Sequence, residues 1–139
     1  MEPVPSGWSQ SPTSAGSDRT KRALLTATVL SHIAQFHQPA IDLLKQAGFE
    51  VHVAARNNLA EKPGLTLSGV DRIVDVPFER TPLSPRNFAA ARALRRLVQE
   101  TEYNLIHCNT PVAGILTRLV AQKARRRGTR IVYTAHGFH

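Results

Sequence analysis

The sequence predicts an α/β protein built on a doubly wound, mostly parallel Rossmann-like sheet of about five strands. Short apolar stretches alternate with amphipathic ones in the order β-α-β-β-α-β-α-β, and the strands are apolar along most of their length. The chain of 139 residues is 42% hydrophobic with few aromatic side chains. Apolar strands indicate a sheet that helices cover on both faces, and parallel strands require right-handed crossovers between them.

The strands are predicted at residues 21–29, 50–55, 70–76, 103–108 and 131–134, and the third pattern is the weakest. The last strand begins as Ile131, Val132 and Tyr133, a β-branched and aromatic run typical of a buried strand. In the common strand order 3-2-1-4-5, the topology switches between the first and fourth strands. Ligands of open α/β sheets bind at such switch points.

Three helices are expected between the strands. The first is predicted at 36–47, after a loop at 30–33, with Gly48 as its stop. The second covers 86–101, with Ser84 as N-cap and Pro85 at the first helical position, and the third runs from Pro111 to a stop at Gly128. The side chains expected to face the core are Phe36, Ala40, Leu43, Leu44 and Ala47 in the first helix, Ala91, Leu94, Leu97 and Val98 in the second, and Val112, Ile115, Leu116, Leu119 and Val120 in the third.

Composition favours a cytoplasmic protein with an anionic partner. The net charge is +8 and the pI is near 10.8, which is typical of proteins that meet phosphate, nucleic acid or an anionic membrane surface. The longest apolar run, at 23–30, is too short to cross a bilayer, and the single Cys108 gives no sign of an oxidising compartment. Residues 1–20, with three prolines and five serines, are predicted to be a disordered leader, and 21–139 a single domain.

The basic residues form two clusters. Arg92, Arg95 and Arg96 share one polar helix face, which is a candidate membrane or anion-binding surface. The second cluster surrounds the end of the third helix, where the macrodipole favours each cation by about 0.3–1 kcal/mol and a solvated helix end is a sufficient explanation. Nucleic acid is not expected as a partner, because no recognised binding motif is present and few aromatic side chains are available to stack on bases.

Polar residues follow three of the predicted strands at their carboxyl ends. Parallel topology brings these ends to one edge of the sheet, so we expect a substrate site there. The imidazole after the fifth strand offers a group whose protonation can change near neutral pH, and the glycine beside it lets a ligand approach the backbone. The residues are Ser31 and His32 after the first strand, Asn109 and Thr110 after the fourth, and His136 and Gly137 after the fifth.

Several of these residues also have a purely structural interpretation. His32 can cap a helix or lie on the surface, Thr110 can be the N-cap of the third helix, and His107 and Cys108 are expected to be core side chains. The loop after the first strand has no glycine, which argues against a dinucleotide dehydrogenase and a phosphate-binding loop. No cysteine or carboxylate stands at ligand spacing from the histidines, so neither a metal nor a cofactor is predicted.

Four segments carry a family resemblance. They are SHIAQFHQP at 31–39, GFEVHV at 48–53, LIHCNTPVAG at 105–114 and IVYTAHGFH at 131–139. Together they closely resemble the amino-terminal domain of family 4 glycosyltransferases of the capsular and exopolysaccharide type, from about residue 21 to 139. Two departures are the missing glycines of the first loop and Ala113, which stands where close relatives often have glycine.

The resemblance implies one half of a GT-B fold, in which two Rossmann-like domains face each other across a cleft. The amino-terminal half holds the acceptor, often a lipid-linked sugar at the membrane, and the carboxyl-terminal half holds the nucleotide sugar. The resemblance places His136 near the transferred sugar as the candidate catalytic residue. It places Asn109 and Thr110 on the acceptor side, and Ser31 and His32 near the donor phosphates. Because the sequence lacks the donor half, we expect this chain alone to be inactive.

Three alternatives stay open from the sequence. A separately encoded donor domain would complete a two-gene glycosyltransferase. A non-enzymatic basic module could bind an anionic membrane surface through Arg92, Arg95 and Arg96. A fragment of a GT-B sugar-nucleotide epimerase is the third, although the motifs at 105–114 and 131–139 fit it less well.

Overall fold

The computed structural model describes residues 20–81 and 83–133. Within them, five strands form one sheet in which every pairing is parallel. The strand order is β3-β2-β1-β4-β5, so the predicted doubly wound sheet and its order are confirmed. The strands are β1 (Arg22–Val29), β2 (Glu50–Arg56), β3 (Arg72–Asp75), β4 (Leu105–Cys108) and β5 (Arg130–Tyr133).

Helices cover the sheet on both faces. One core contains Leu25 and Ile41 beneath the first two helices, and the other contains Leu24 and Leu94 beneath the last three. Neighbouring residues of β1 point to opposite faces because side chains alternate along a strand. The helices are α1 (Leu30–Phe36), α2 (Gln38–Gln46), α3 (Arg86–Glu100), α4 (Pro111–Val120) and α5 (Gln122–Arg126), and a 3-10 turn covers Leu59–Glu61.

The first crossover differs from the prediction. The expected loop at 30–33 is the first turn of α1, because Leu30 and Ile33 are both fully buried against the sheet. The helix then breaks at His37, and Pro39 occupies the first turn of α2, where its missing N–H costs no helical bond. The expected inner face was wrong in part: Leu44 packs against the core as expected, but α2 buries Ile41 while Leu43 is 66% exposed.

Helix α3 lies within one residue of its predicted bounds. It begins after Pro85, and the Ser84 hydroxyl accepts a hydrogen bond from the Arg86 N–H at 3.3 Å. Its buried stripe contains Leu94, Leu97 and Val98 as expected, with Ala90 in place of the expected Ala91.

The buried face of α4 was predicted correctly only in part, since Leu116 and Val120 pack against the core as expected. The helix presents Ala113, Gly114 and Thr117 to the sheet, whereas Ile115 is 51% and Leu119 60% exposed. Small residues allow the helix to approach closely, and a Cβ on Gly114 would lie 2.7 Å from the Tyr133 Cε1 atom. The expected single helix to Gly128 also breaks at Ala121, after which the short α5 follows.

The closing strand is an edge rather than a buried element. Val132 is 45% and Tyr133 36% exposed, because β5 pairs only with β4 among the described strands. The Tyr133 ring packs beneath the Arg118 guanidinium, with 5.2 Å between the guanidinium carbon and the ring centroid. Strand propensity therefore identified the element correctly but not its burial.

A polar network lies at the end of the sheet where the strands begin. His52 Nδ1 and the Tyr103 hydroxyl are 2.7 Å apart, and His52 Nε2 lies 2.5 Å from a Glu50 carboxylate oxygen. Burial raises the pKa of Tyr103 to about 12, since the phenolate would lose its hydration. At the same edge, the Lys45 ammonium and the Val51 N–H hold the pKa of Asp71 below its usual range.

Candidate functional site

A cavity of about 280 Å³ opens where β1 and β4 end, at the switch point of the topology. We call it the switch-point cavity. Its lining comes from the end of β1, the start of α1, the start of α4 and the loop after β3, so three crossovers contribute to it. The lining residues are Thr28, Val29, His32, Arg80, Thr110, Pro111 and Val112.

Two threonines join β1 to the start of α4 in this cavity. The Thr110 hydroxyl accepts a hydrogen bond from the Thr28 N–H at 2.9 Å and lies 2.8 Å from the Thr28 hydroxyl. The pairing of β1 with β2 is irregular between Thr26 and Val29, so the backbone there is free to bond elsewhere. Thr110 occupies the N-cap position of α4 as predicted, yet its side chain makes no capping hydrogen bond because it serves Thr28 instead.

Of the six residues predicted at this edge, the structure describes four, and two of these, His32 and Thr110, line the cavity. Ser31 lies beneath it and is 6% exposed. Its N–H donates to the Asn58 side-chain oxygen at 2.8 Å, and the Asn58 amide donates to the Ser31 hydroxyl at 2.8 Å. Ser31 therefore connects α1 to the loop after β2 rather than presenting its hydroxyl to the cavity.

Asn109 is also beneath the cavity and only 1% exposed. Its amide donates to the backbone oxygens of Thr26 and His107, both at 3.1 Å, and so ties the ends of β1 and β4 together. Its Oδ1 atom has no hydrogen-bond partner among the described residues. The Asn109 amide nitrogen, which was predicted to bind a sugar, instead holds the ends of β1 and β4 in place beneath the cavity.

As with Thr28, sequence analysis did not predict the cavity residue Arg80. It lies in the loop after β3, which carries no periodic pattern, so only the position of that loop at the carboxyl edge pointed to it. No carboxylate lines the cavity, and the adjacent Glu79 pairs with Arg86 at 3.4 Å. The described lining therefore carries a permanent positive charge without an acidic partner.

Three histidines lie in a chain at this edge. The ring centroids of His32 and His37 are 5.3 Å apart, and those of His37 and His107 are 5.8 Å apart. His37 is 6% exposed and forms the middle of the chain. His32 is the end of this chain that lines the cavity, and its role in substrate binding stays a prediction.

His136 and Gly137 lie outside the described residues, and so do their predicted places at this edge.

The predicted membrane or anion-binding face lies on α3. Arg92, Arg95 and Arg96 are exposed on α3 and form no ion pair among the described residues.

The described residues include no group of three His, Cys, Asp or Glu side chains that could hold a metal ion. Cys108 is buried and unpaired, and burial raises the pKa of its thiol. Such a thiol is a poor nucleophile, because the reactive form is the thiolate.

Among the helices that the structure describes, none has the length and apolar character needed to cross a bilayer.

Comparisons with known proteins agree with this architecture. The chain is 45% identical over 120 residues to "Putative glycosyltransferase EpsD" of Bacillus subtilis (strain 168); the match covers 86% of this chain and 30% of that protein. The chain therefore spans less than a third of the length of this relative.

Two solved structures share the fold at low sequence identity. A UDP-N-acetylglucosamine 2-epimerase superposes with a TM-score of 0.58 at 14% identity, over 86% of this chain and 34% of that one. The C-terminal domain of a hydrogenase from Pyrococcus furiosus superposes with a TM-score of 0.56 at 15% identity, over 83% of this chain and 91% of that one.

The sequence model of the family Glycosyltransferase Family 4 matches residues 41–139. This match covers most of the chain, which therefore belongs to glycosyltransferase family 4.

Proposed function

We propose that this chain is the acceptor-binding half of a GT-B glycosyltransferase that transfers a sugar from a nucleotide sugar to a polysaccharide or lipid-linked acceptor. The observation that carries the proposal is the switch-point cavity in a family 4 domain. Hydroxyl groups of Thr28 and Thr110 and the imidazole of His32 are suited to hydrogen bonds with sugar hydroxyls. The volume of about 280 Å³ is near the lower end of the range typical of small-ligand sites.

In this proposal the chain alone does not catalyse transfer. The leaving diphosphate needs positive charge or helix N-termini placed against it, and among the described residues that line the cavity Arg80 is the only arginine or lysine. The remaining stabilisation comes from a donor domain, in the same polypeptide or in a separate one. His136 acts beside the transferred sugar, and Gly137 lets the acceptor approach the backbone.

The proposed setting is the cytoplasmic face of a membrane where a capsular or exopolysaccharide is built. Residues 1–20 form a leader in this proposal, and 21–139 form the sugar-binding domain. Arg92, Arg95 and Arg96 provide a peripheral contact with anionic lipid, supported by their exposure and by Phe88, which is 78% exposed one turn before Arg92. Replacing the three arginines by glutamate is expected to abolish salt-sensitive binding to anionic vesicles; unchanged binding would contradict this contact.

The test of the enzymatic proposal is a chimera in which residues 21–139 replace the matching segment of the Bacillus subtilis relative. We expect the chimera to transfer sugar from one of a panel of nucleotide sugars, and the 139-residue chain to show no transfer. His136→Ala in the chimera should lower kcat by about 100-fold or more, whereas Gln46→Ala, at an exposed position of α2, should not.

A folded chimera that shows no transfer, beside an active parent protein, would contradict the proposal. Transfer by the isolated chain would contradict the part that assigns it only the acceptor half. Sugar-nucleotide epimerisation by the chimera would favour the epimerase alternative.

A further inference from the structure

A second concave surface lies on the same face of the sheet as α3, away from the switch-point cavity. It runs between the carboxyl-terminal half of α3 and the segment formed by the end of α4 and α5, with a volume of about 610 Å³. We call it the basic groove. Its lining residues are Arg95, Val98, Gln99, Leu119, Val120, Gln122, Lys123, Ala124 and Arg127.

The basic groove continues into a cleft at the edge where the strands begin. That cleft has a volume of about 700 Å³ and shares Val98, Gln99, Ala124 and Arg127 with the groove. Its other lining residues include Tyr103 and Asn104, which precede β4. The groove is therefore remote from the carboxyl ends of β1 and β4, and the proposed sugar-transfer site uses none of its residues; Arg95 alone belongs both to its rim and to the proposed lipid contact.

The rim of the groove is positively charged. Arg95 stands on α3, and Lys123 and Arg127 stand on the opposite side. None of the three forms an ion pair among the described residues, and no carboxylate belongs to the lining. The helix macrodipole accounts for cations at the end of α5, but it does not account for Arg95 facing them across a groove.

The floor of the groove is apolar. Val98 and Ala124 are largely buried at its base, whereas Leu119 is 60% exposed. An exposed leucine one turn before Lys123 offers a hydrophobic contact beside the charge-assisted contacts of the rim. A partner that fits needs an apolar stripe flanked by negative charge.

From this arrangement we infer that the basic groove is a docking site for an acidic amphipathic helix of a partner protein. Two roughly side-by-side helices leave a groove into which the ridge of a third helix packs. Leu119 contacts the apolar stripe of the bound helix, and Arg95, Lys123 and Arg127 pair with its glutamate or aspartate side chains. A flat bilayer matches a concave groove less well, and the lining has no aromatic ring on which a nucleic-acid base would stack.

The experiment uses the full 139-residue chain and a synthetic helix of roughly 18 residues made of Leu, Ala and Glu, longer than the about 12–15 residues below which isolated helices are marginal. Fluorescence anisotropy of the labelled peptide measures binding at low and high salt. We expect saturable, salt-weakened binding, and about tenfold weaker binding after Lys123→Glu with Arg127→Glu or after Leu119→Asp. All three substituted positions are exposed, so the variants should fold, and circular dichroism checks this.

The matched control is Arg92→Glu with Arg96→Glu, which reverses the same number of charges on α3 outside the groove. We expect the factor by which this control weakens peptide binding to be less than half of the factor for Lys123→Glu with Arg127→Glu. An equal loss in both variants, equal binding of a scrambled peptide of the same composition, or no saturable binding would overturn the inference. Binding of anionic vesicles that depends on Lys123 and Arg127, without peptide binding, would assign the groove to lipid and overturn it as well.

Discussion

Replacing Thr110 by valine should destabilise the protein by removing the bond that holds β1 to the start of α4. The Thr110 hydroxyl accepts from the Thr28 N–H at 2.9 Å and contacts the Thr28 hydroxyl at 2.8 Å. Valine keeps the shape of the side chain but offers no acceptor. The Thr28 N–H then loses its partner in a residue that is 5% exposed.

The expected magnitude follows from these two contacts. A buried donor left without a partner costs about 1–3 kcal/mol, whereas an ordinary neutral hydrogen bond contributes about 0.5–1.5 kcal/mol. Thr110→Val should therefore lower the free energy of unfolding by about 1–3 kcal/mol. Thr28→Val should cost less, about 0.5–1.5 kcal/mol, because its N–H keeps the Thr110 acceptor.

Urea denaturation followed by circular dichroism measures both values, provided that the slope of the transition is unchanged. The double variant Thr28→Val with Thr110→Val completes a mutant cycle, and we expect a non-additive term because the two hydroxyls share one interaction. Thr110→Ser retains the oxygen and serves as the control. Equal costs for the two valine substitutions, or a cost for Thr110→Val below that of Thr28→Val, would refute the reasoning.

Three further predictions concern other parts of the molecule. Gly114→Ala should cost about 1–3 kcal/mol, because its Cβ would stand 2.7 Å from the Tyr133 ring; Tyr133→Ala in the same chain should recover part of the loss, and an unchanged urea midpoint would count against this packing. The pKa of Tyr103 is about 12 in the folded protein, so the phenol ionises at lower pH in the unfolded chain, and the free energy of unfolding should fall as the pH rises above about 10. The fall should be less steep in Tyr103→Phe. Equal slopes of the free energy of unfolding against pH in the two proteins, measured by urea titration, would contradict this. Lys45 lowers the pKa of Asp71, so the stabilisation from the Asp71 carboxylate should be present above the unfolded pKa of 3.8 and should disappear as the pH falls below it. Asp71→Asn should cost less than about 1 kcal/mol at neutral pH, because the Lys45 and Asp71 side chains are both more than a third exposed. An acid-unfolding curve of the variant that matches the wild type would exclude this effect.

The strands and their parallel pairing follow from local sequence, whereas the location of the cavity was predicted on the common strand order 3-2-1-4-5, which the structure has. Continuous apolar runs such as Val51–Ala55 need burial on both sides, and alternation with helices leaves parallel crossovers as the connection. Once strands one and four are neighbours, His32 and Thr110 must approach each other, because both follow a carboxyl end.

The tertiary structure decided which predicted polar groups reach the cavity. Ser31 and Asn109 carry the expected chemistry, but both are buried, and the Ser31 hydroxyl and the Asn109 amide nitrogen bond to neighbouring elements instead. Arg80 has no local signal, since its place depends on the path of an irregular loop. Hydrogen-bond competition of this kind is visible only when residues far apart in sequence are placed together.

The sequence by itself determined the periodicity of α4 but not which face meets the sheet. Ile115 and Leu119 form the more hydrophobic stripe, yet Ala113, Gly114 and Thr117 face the strands. Close approach of the helix to β4 and the Tyr133 ring requires small side chains, so steric fit outweighs the transfer free energy of larger ones. Hydrophobicity is a property of single residues, whereas this fit belongs to surfaces that meet only in the folded chain.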